Sequence, residues 1–268
     1  MSMSNIDISI VIIEYNSLNN IKDCVDKILS KCKSVKYEII VSSNSCYDKQ
    51  IQLEILKKFS NCKWVFNPKN GGFAYGMNQG LSIATGRYLA ISNPDTILKT
   101  DLNEMLDFMN RHEEIGAIAP QIVDNLGVIQ DSCRPYVSFY SYVARQFKRV
   151  FTRQSLIYEN NFNYNKIQTV DWVIGAFIMV RKEVYIQTNG LDENYFMYNE
   201  DLDWCTRIRS IGYEIVYFPP TIVEYKGSRA ARSSLKYAAI FLKSITKFWL
   251  NFGFFKGYPP RKNYQFNR

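Results

Sequence analysis

Residues 8–17 read ISIVIIEYNS. A run of β-branched apolar residues, broken only by Ser9, has no polar face to turn to water. It suits a short strand covered on both sides, as in a parallel sheet between helices. The run stops at Glu14-Tyr15-Asn16-Ser17, a polar corner. NSLNN then reads as a turn and helix cap, and IKDCVDKILSK repeats apolar residues at helical spacing (Ile21, Val25, Ile28, Leu29).

The same alternation continues outward from this unit. YEIIVSS (37–43) is a second buried strand, and NSCYDKQIQLEILKKF (44–59) a loop and helix. CKWVFNP (62–68) is a third strand. GGFAYGMNQGLSIATG (71–86) is a Gly-rich loop entering a helix that ends at Gly86. RYLAISNPD (87–95) is a fourth strand with a polar corner, LNEMLDFMNRH (102–112) a helix, and IGAIAPQIV (115–123) another strand. Strands alternating with helices predict an α/β fold with a mostly parallel central sheet flanked by helices. Ligands of such sheets sit beyond the carboxyl ends of the strands. The loops EYNS (14–17), SSNSC (42–46) and NPD (93–95) lie there and outline a nucleotide-sized site.

The second half has weaker periodicity. Residues 134–169 read as irregular. VDWVIGAFIMVRKEVY (170–185) is a strand and helix start, and GYEIVYFPPTIVEYKG (212–227) a strand broken by Pro219-Pro220. From about Leu235 to Arg268 the chain alternates apolar and basic residues, which predicts a basic, aromatic helical tail.

Composition narrows the function. The 268 residues are 47% hydrophobic and carry a net charge of +8, so an anionic partner such as a nucleotide or lipid headgroup fits. Nucleic acid would rest on that charge alone and is not expected. The six cysteines show no paired CxxC spacing and read as free thiols. The N-terminal MSMSNIDISIVII lacks the basic region and length of a signal peptide or membrane span. The single histidine, His112, sits in a polar NRHEE stretch, reads as a surface residue, and argues against a His-based triad or zinc site.

The chemistry concentrates in two places. Asn93 and Asp95, one residue apart on an extended segment, face the same side. An aspartate there could hold Mg²⁺ or Mn²⁺ against a diphosphate, since hard cations share oxygen ligands with phosphates. A plain Asn-Pro-Asp turn has the same sequence. FMYNEDLDWCTRIR (196–209) sets three carboxylates, Glu200, Asp201 and Asp203, among aromatic residues. Part of their purpose is a helix start: Asn199 suits an N-cap, acids suit the first turn, and Arg207 and Arg209 suit the last.

Taken together, ISIVIIEYNS, NPKNGGFAYGMNQG with LAISNPDTIL, DWVIGAFIMVRKEVY and GLDENYFMYNEDLDWCTRIRSIGYEIVYFPP resemble the inverting glycosyltransferases of family 2, of the GT-A fold, in the rhamnosyltransferase-like branch. The resemblance runs from about Ile8 to Ser228. It implies a catalytic domain over 1–234, with a donor-nucleotide half (1–125) and an acceptor half (126–234), followed by the tail (235–268). It implies a nucleotide-sugar donor, dTDP-rhamnose or a UDP-sugar, lined by Tyr15, Asn16, Ser43, Asn44, Gly72, Asn78, Asn93 and Asp95. Trp172, Gly175, Ala176 and Asp203 fall on the acceptor side, and Asp201 is the general base, with Glu200 orienting the acceptor. Mg²⁺ or Mn²⁺ would sit at Asp95, with Glu224 as a second ligand. The acceptor would be a saccharide, in many relatives linked to a lipid diphosphate, and the product a bacterial surface polysaccharide. The protein would be cytoplasmic, with residues 235–258 touching the inner face of the membrane.

Three positions depart from the family pattern. Ser43-Asn44 stands where an Asp-Asn pair is usual, Glu14 where Thr is common, and VEYKGS (223–228) where a metal-binding His precedes a Gly-rich turn. There Glu224 could bind metal, or Lys226 could neutralise the diphosphate. These departures keep open a non-catalytic GT-A domain that binds a nucleotide sugar or glycan, or scaffolds a synthase. A sugar nucleotidyltransferase shares the layout but should show a Gly-rich signature near the first strand, which EYNS is not.

Overall fold

The structure, a computed structural model, describes residues 6–136, 139, 162–225, 227, 235–253, 258, 259, 262, 264 and 266. The buried run at the start is strand β1 (Ile8–Glu14). It lies between β2 (Tyr37–Ser43) and β4 (Tyr88–Ser92), parallel to both, and β3 (Lys63–Phe66) continues the parallel half beside β2. Beyond β4 the sheet becomes mixed. β10 (Phe177–Arg181) runs antiparallel between β4 and β6 (Ile115–Val123), and β6 pairs in parallel with β11 (Glu214–Tyr225). β5 (Thr96–Leu98) and β8 (Gln168–Val170) run antiparallel to β11. A separate ribbon pairs β7 (Cys133–Arg134) with β9 (Trp172–Val173). The expected parallel character thus holds for the first four strands in space, and the second half is mixed.

Alternate residues of the buried strands feed two cores, one on each face of the sheet. Ile8, Ile10 and Ile12 pack with α1 (Leu18–Lys31), Ile55 of α2 (Lys49–Lys58) and α4 (Asn103–Arg111). Val11 and Ile13 pack on the other face with α3 (Phe73–Ser82), α5 (Lys182–Thr188), α6 (Glu200–Ser210) and α7 (Leu235–Phe252). A strand sandwiched between two helical layers needs apolar residues at every position, which is why ISIVII does not alternate.

Three sequence expectations change. Pro219-Pro220 does not end a strand: β11 continues to Tyr225, and its register against β6 jumps from Phe218–Pro120 to Ile222–Gln121. A bulge sets the two residues without N–H groups outside the ladder. The strand expected within 170–185 is broken into the end of β8, then β9 and β10, while the helix start expected after it is present as α5. His112 is half-buried, packed against Phe108 and paired with Glu114 at 3.1 Å. The six cysteines are free, as expected. Among the described residues no helix is long and apolar enough to cross a membrane. Most of the irregular stretch after Arg134, and Lys226, lie outside the described residues.

Candidate active site

Strands β1, β2, β4, β6 and β11 run in one direction, so their carboxyl ends share one edge of the sheet, with the start of β10. At the β1 corner Glu14 is fully buried. Its Oε1 accepts from the Ser17 N–H at 2.8 Å and the Tyr47 hydroxyl at 3.1 Å, and its Oε2 from Ser43 Oγ at 2.5 Å and Ser45 Oγ at 2.8 Å. Asn16 N–H donates to Ser45 Oγ at 2.7 Å. Glu14 thus fastens the β1 and β2 loops together, and Ser43 spends its proton on it. Tyr15, next to this clasp in the chain, is 53% exposed.

Asn44 links the same corner to the Gly-rich turn. Its Nδ2 donates to Gly72 O at 2.9 Å, while its Oδ1 accepts from Asn67 Nδ2 at 2.9 Å. In the sequence Asn67 carries no signal beyond its place at the end of CKWVFNP. Gly72 has φ 91°, and Phe73 N–H donates to Phe196 O at 2.8 Å, so the turn lies directly against the acidic stretch. Asn78 is set apart from the expected donor residues. Its Oδ1 accepts from Leu191 N–H at 3.0 Å, and its Nδ2 donates to Leu191 O at 2.8 Å and Glu193 Oε1 at 3.0 Å. It holds the loop before α6.

The NPD corner meets β10 and β11. Asn93 N–H and Thr96 Oγ1 both donate to Ala176 O, at 3.0 and 3.1 Å. Asn93 Nδ2 donates to the Tyr225 hydroxyl at 3.0 Å. Burial pushes that hydroxyl up to about 12, and the charges of Asp95 and Asp201 add to the effect. Tyr225 is thus bonded to the NPD corner, and its hydroxyl feels the charge of Asp201 on the acidic helix. Nothing in VEYKGS marked it beforehand, because only the β11 register brings it opposite Thr96.

Of the three acids, Asp203 is structural. It is 1% exposed, accepts from Arg207 Nε at 2.6 Å, and takes the Tyr195 hydroxyl at 3.3 Å. Asp201 sits at the start of α6, half-buried. Its Oδ2 accepts from Gly175 N–H at 2.8 Å and its Oδ1 from Leu202 N–H at 2.8 Å. Burial pushes its carboxyl above the ordinary aspartate range, and these two N–H groups and the charge of Arg134 work against the rise. Arg134 lies over the ring of Trp172, 5.5 Å from its centroid. The Trp172 indole donates to Pro135 O at 3.0 Å, so the ring is fixed. Glu200 is buried, and its Oε2 has no partner among the described residues. Burial, then the Asp201 charge, raise its carboxyl well above the ordinary 4.5. The expected helix start is present, but Asn199 makes no side-chain cap: it and Tyr198 both have left-handed backbone, φ 63° and 70°. A tyrosine held there costs about 1–3 kcal/mol and belongs to sites where geometry is imposed.

Glu200 yields a stability prediction with a definite sign. A carboxyl raised on folding contributes stability that is complete below its unfolded value and is lost as pH climbs towards its folded one. Glu200→Gln keeps the neutral shape. Thermal unfolding should be unchanged below about pH 4 and shifted upward at pH 7–8, by about 2–4 °C per kcal/mol recovered.

The residues suit a metal only if the ligand brings its own oxygens. Among the described residues no group of three or more His, Cys, Asp or Glu could hold an ion. Of the two expected ligands, Glu224 pairs with Lys99 Nζ at 2.6 Å, and Asp95 lies half-buried at the corner. One carboxylate plus a diphosphate is an ordinary environment for Mg²⁺.

Comparison with known proteins places this arrangement. The model of the family described as Glycosyl transferase family 2 matches residues 9–188. Rhamnosyltransferase WbbL of Escherichia coli (strain K12) is 25% identical over 217 residues, covering 74% of this chain and 76% of that protein. The N-acetylglucosaminyl-diphospho-decaprenol L-rhamnosyltransferase of Mycobacterium tuberculosis (strain ATCC 25618 / H37Rv) is 26% identical over 162 residues, 59% of this chain; the match spans about half, 53%, of that relative. Among solved structures, GalNAc-T7 with UDP, GalNAc and Mn²⁺ superposes with TM-score 0.62 at 13% identity, over 82% of this chain and 44% of that one. Mannosyltransferase PcManGT from Pyrobaculum calidifontis, in complex with GDP-Man and Mn²⁺, gives 0.61 at 16% identity, over 95% and 66%. The shared architecture is the GT-A fold.

Proposed function

Because the chain belongs to glycosyl transferase family 2, we propose that it moves a sugar from a nucleotide-diphosphate donor to a saccharide hydroxyl with inversion, using Asp201 as general base. The observation that carries this reading is the Asp201 carboxylate. Two backbone N–H groups fix both its oxygens, one of them from Gly175, next to the Ala176 whose carbonyl takes the Asn93 N–H of the NPD corner. As the acceptor oxygen attacks the anomeric carbon, its proton passes to Asp201, and the nucleoside diphosphate leaves from the opposite face. The second half of the chain shapes the acceptor side through Trp172, Gly175 and Ala176, and Asp203 supports it by holding Tyr195 and Arg207.

On the donor side, Tyr15 offers a ring face to the base, and Asn16, Ser43, Asn44 and Gly72 form the wall beside it. With Ser43 committed to Glu14, base recognition falls to Tyr15 and the backbone of the β2 loop. Asp95 would hold Mg²⁺ or Mn²⁺, which neutralises diphosphate charge when bound. The names of the bacterial relatives support dTDP-rhamnose, with a UDP-sugar as the other donor, and the diphospho-decaprenol in one of them supports a lipid-linked acceptor. Such an acceptor suits work at the inner face of the bacterial membrane on a surface polysaccharide. The exposed side of α7, with Lys236, Leu242, Lys243 and Leu250, could rest on the headgroups.

Calorimetric titration with UDP, dTDP, GDP and CDP, each with and without Mn²⁺, tests the donor site. One nucleotide should bind about tenfold or more tighter with Mn²⁺, and Asp95→Ala should abolish that difference. A folded sample that binds none of them overturns the reading.

A further inference from the structure

We infer that α7 is part of the acceptor machinery, with Ser244 and Lys247 acting as positioning residues for the loop 189–199 that delivers Glu200 and Asp201. The inference rests on the acceptor-side reading above and assigns a role to a helix outside the matched family segment, 9–188.

The contacts fall along one face of α7. Phe241 meets the Tyr198 ring at 6.0 Å. Ser244, 6% exposed, donates from Oγ to Met197 O at 2.8 Å. Lys247 Nζ pairs with Asp192 Oδ2 at 2.9 Å and lies 4.8 Å from the centre of the Tyr195 ring. Residues 241, 244 and 247 are spaced by three, so they share a stripe of the helix. Lys247 therefore turns inward, unlike a lysine kept for water or lipid. Burial pushes the Asp192 carboxyl up, but the ammonium of Lys247 and the Asn194 amides outweigh it and hold Asp192 below its ordinary range.

The loop is gripped from two sides. On one side α3 holds it: Asn78 bonds to Leu191, and Phe73 N–H donates to Phe196 O. On the other side α7 holds Asp192, Tyr195, Met197 and Tyr198. The loop contains left-handed backbone at Asn189, Gly190, Tyr198 and Asn199; glycine and asparagine adopt it readily, so Tyr198, the residue held by Phe241, is the one that needs support. Tyr198 and Asn199 are the residues that set the direction of α6. Removing the grip of α7 lets that turn relax, and Asp201 loses its aim at the acceptor hydroxyl while the Glu14 and Asn44 corner stays as it is.

The test uses the full chain with Ser244→Ala, Lys247→Met, and the exchanged pair Asp192→Lys with Lys247→Asp. Hydrogen exchange is read at the amides of Phe73 and Asp203, which donate to Phe196 O and Asn199 O. Both single variants should speed exchange there about tenfold, cut kcat for the acceptor about ten- to a hundredfold, and leave nucleotide affinity within about twofold. The exchanged pair should recover most of the Lys247→Met loss. Ser244→Ala removes one oxygen and keeps the fold testable if the lysine variants misfold. Unchanged exchange at both amides in Ser244→Ala and Lys247→Met overturns the inference. That readout does not depend on turnover, so a failure of the glycosyltransferase reading would be seen separately, in the nucleotide titration.

Discussion

Asp201→Asn should lower kcat for transfer by about two to four orders of magnitude, the range a positioned general base contributes. The reasoning is local. The side-chain amide keeps the size of the carboxylate but offers one acceptor oxygen where Asp201 uses two, one for Gly175 N–H and one for Leu202 N–H. One of those N–H groups is left facing an NH₂ group, which costs about 1–3 kcal/mol. The amide also cannot take a proton from the acceptor. Nucleotide affinity should stay within about twofold, because the Glu14 and Asn44 contacts are untouched. Steady-state kinetics with a saccharide acceptor, together with calorimetry, separates the two effects. A variant that transfers at the wild-type rate removes Asp201 as the base.

The second large effect is expected from Gly72→Ala. Gly72 has φ 91° and ψ −176°, a region that residues with a Cβ rarely adopt. A Cβ there would stand 2.2 Å from Phe196 O and 2.8 Å from the Phe196 carbonyl carbon, which are backbone atoms with nowhere to rotate. The Asn44 bond to Gly72 O and the Phe73 bond to Phe196 O meet at this point. The methyl group forces the two halves of the site apart. The backbone strain alone is about 1–3 kcal/mol, and the clash adds to it. Chemical denaturation should show a lower midpoint, and transfer should fall more than the stability loss explains, since a misplacement of about 1 Å can cost a hundredfold. Wild-type stability and turnover together would mean that the Gly72–Phe196 contact is not made in solution.

Much of this architecture was legible in ISIVII, YEIIVSS and YLAIS, because a strand covered on both faces must be apolar throughout. The location of the site followed from the polar corners after those runs. What could not be read was which polar groups satisfy one another. Glu14 stands where Thr is common, an acid in need of a partner, and its partners are three hydroxyls and one N–H, brought by residues up to 33 positions away. Asn78 looked like a donor contact, but it reaches residues 191 and 193 across the fold. Tyr225 and Arg134 carried no motif; the β11–β5 and β7–β9 pairings put them at the site. Pro219-Pro220 read as a break because local propensity cannot foresee a bulge that leaves the ladder intact on either side. The helical tail was legible from its composition, but its inward face was not, since Lys247 resembles its neighbours until Asp192 is placed beside it.

The measurement that bears most directly on the central claim is the anomeric configuration of the product. The protein would be incubated with Mn²⁺, a saccharide acceptor, and either dTDP-rhamnose or a UDP-sugar carrying ¹³C at its anomeric carbon. The one-bond carbon–proton coupling of the transferred sugar would then be read by NMR. The geometry at Asp201 predicts a single product whose configuration is opposite to that of the donor. Retention of configuration would contradict a single-base displacement at Asp201.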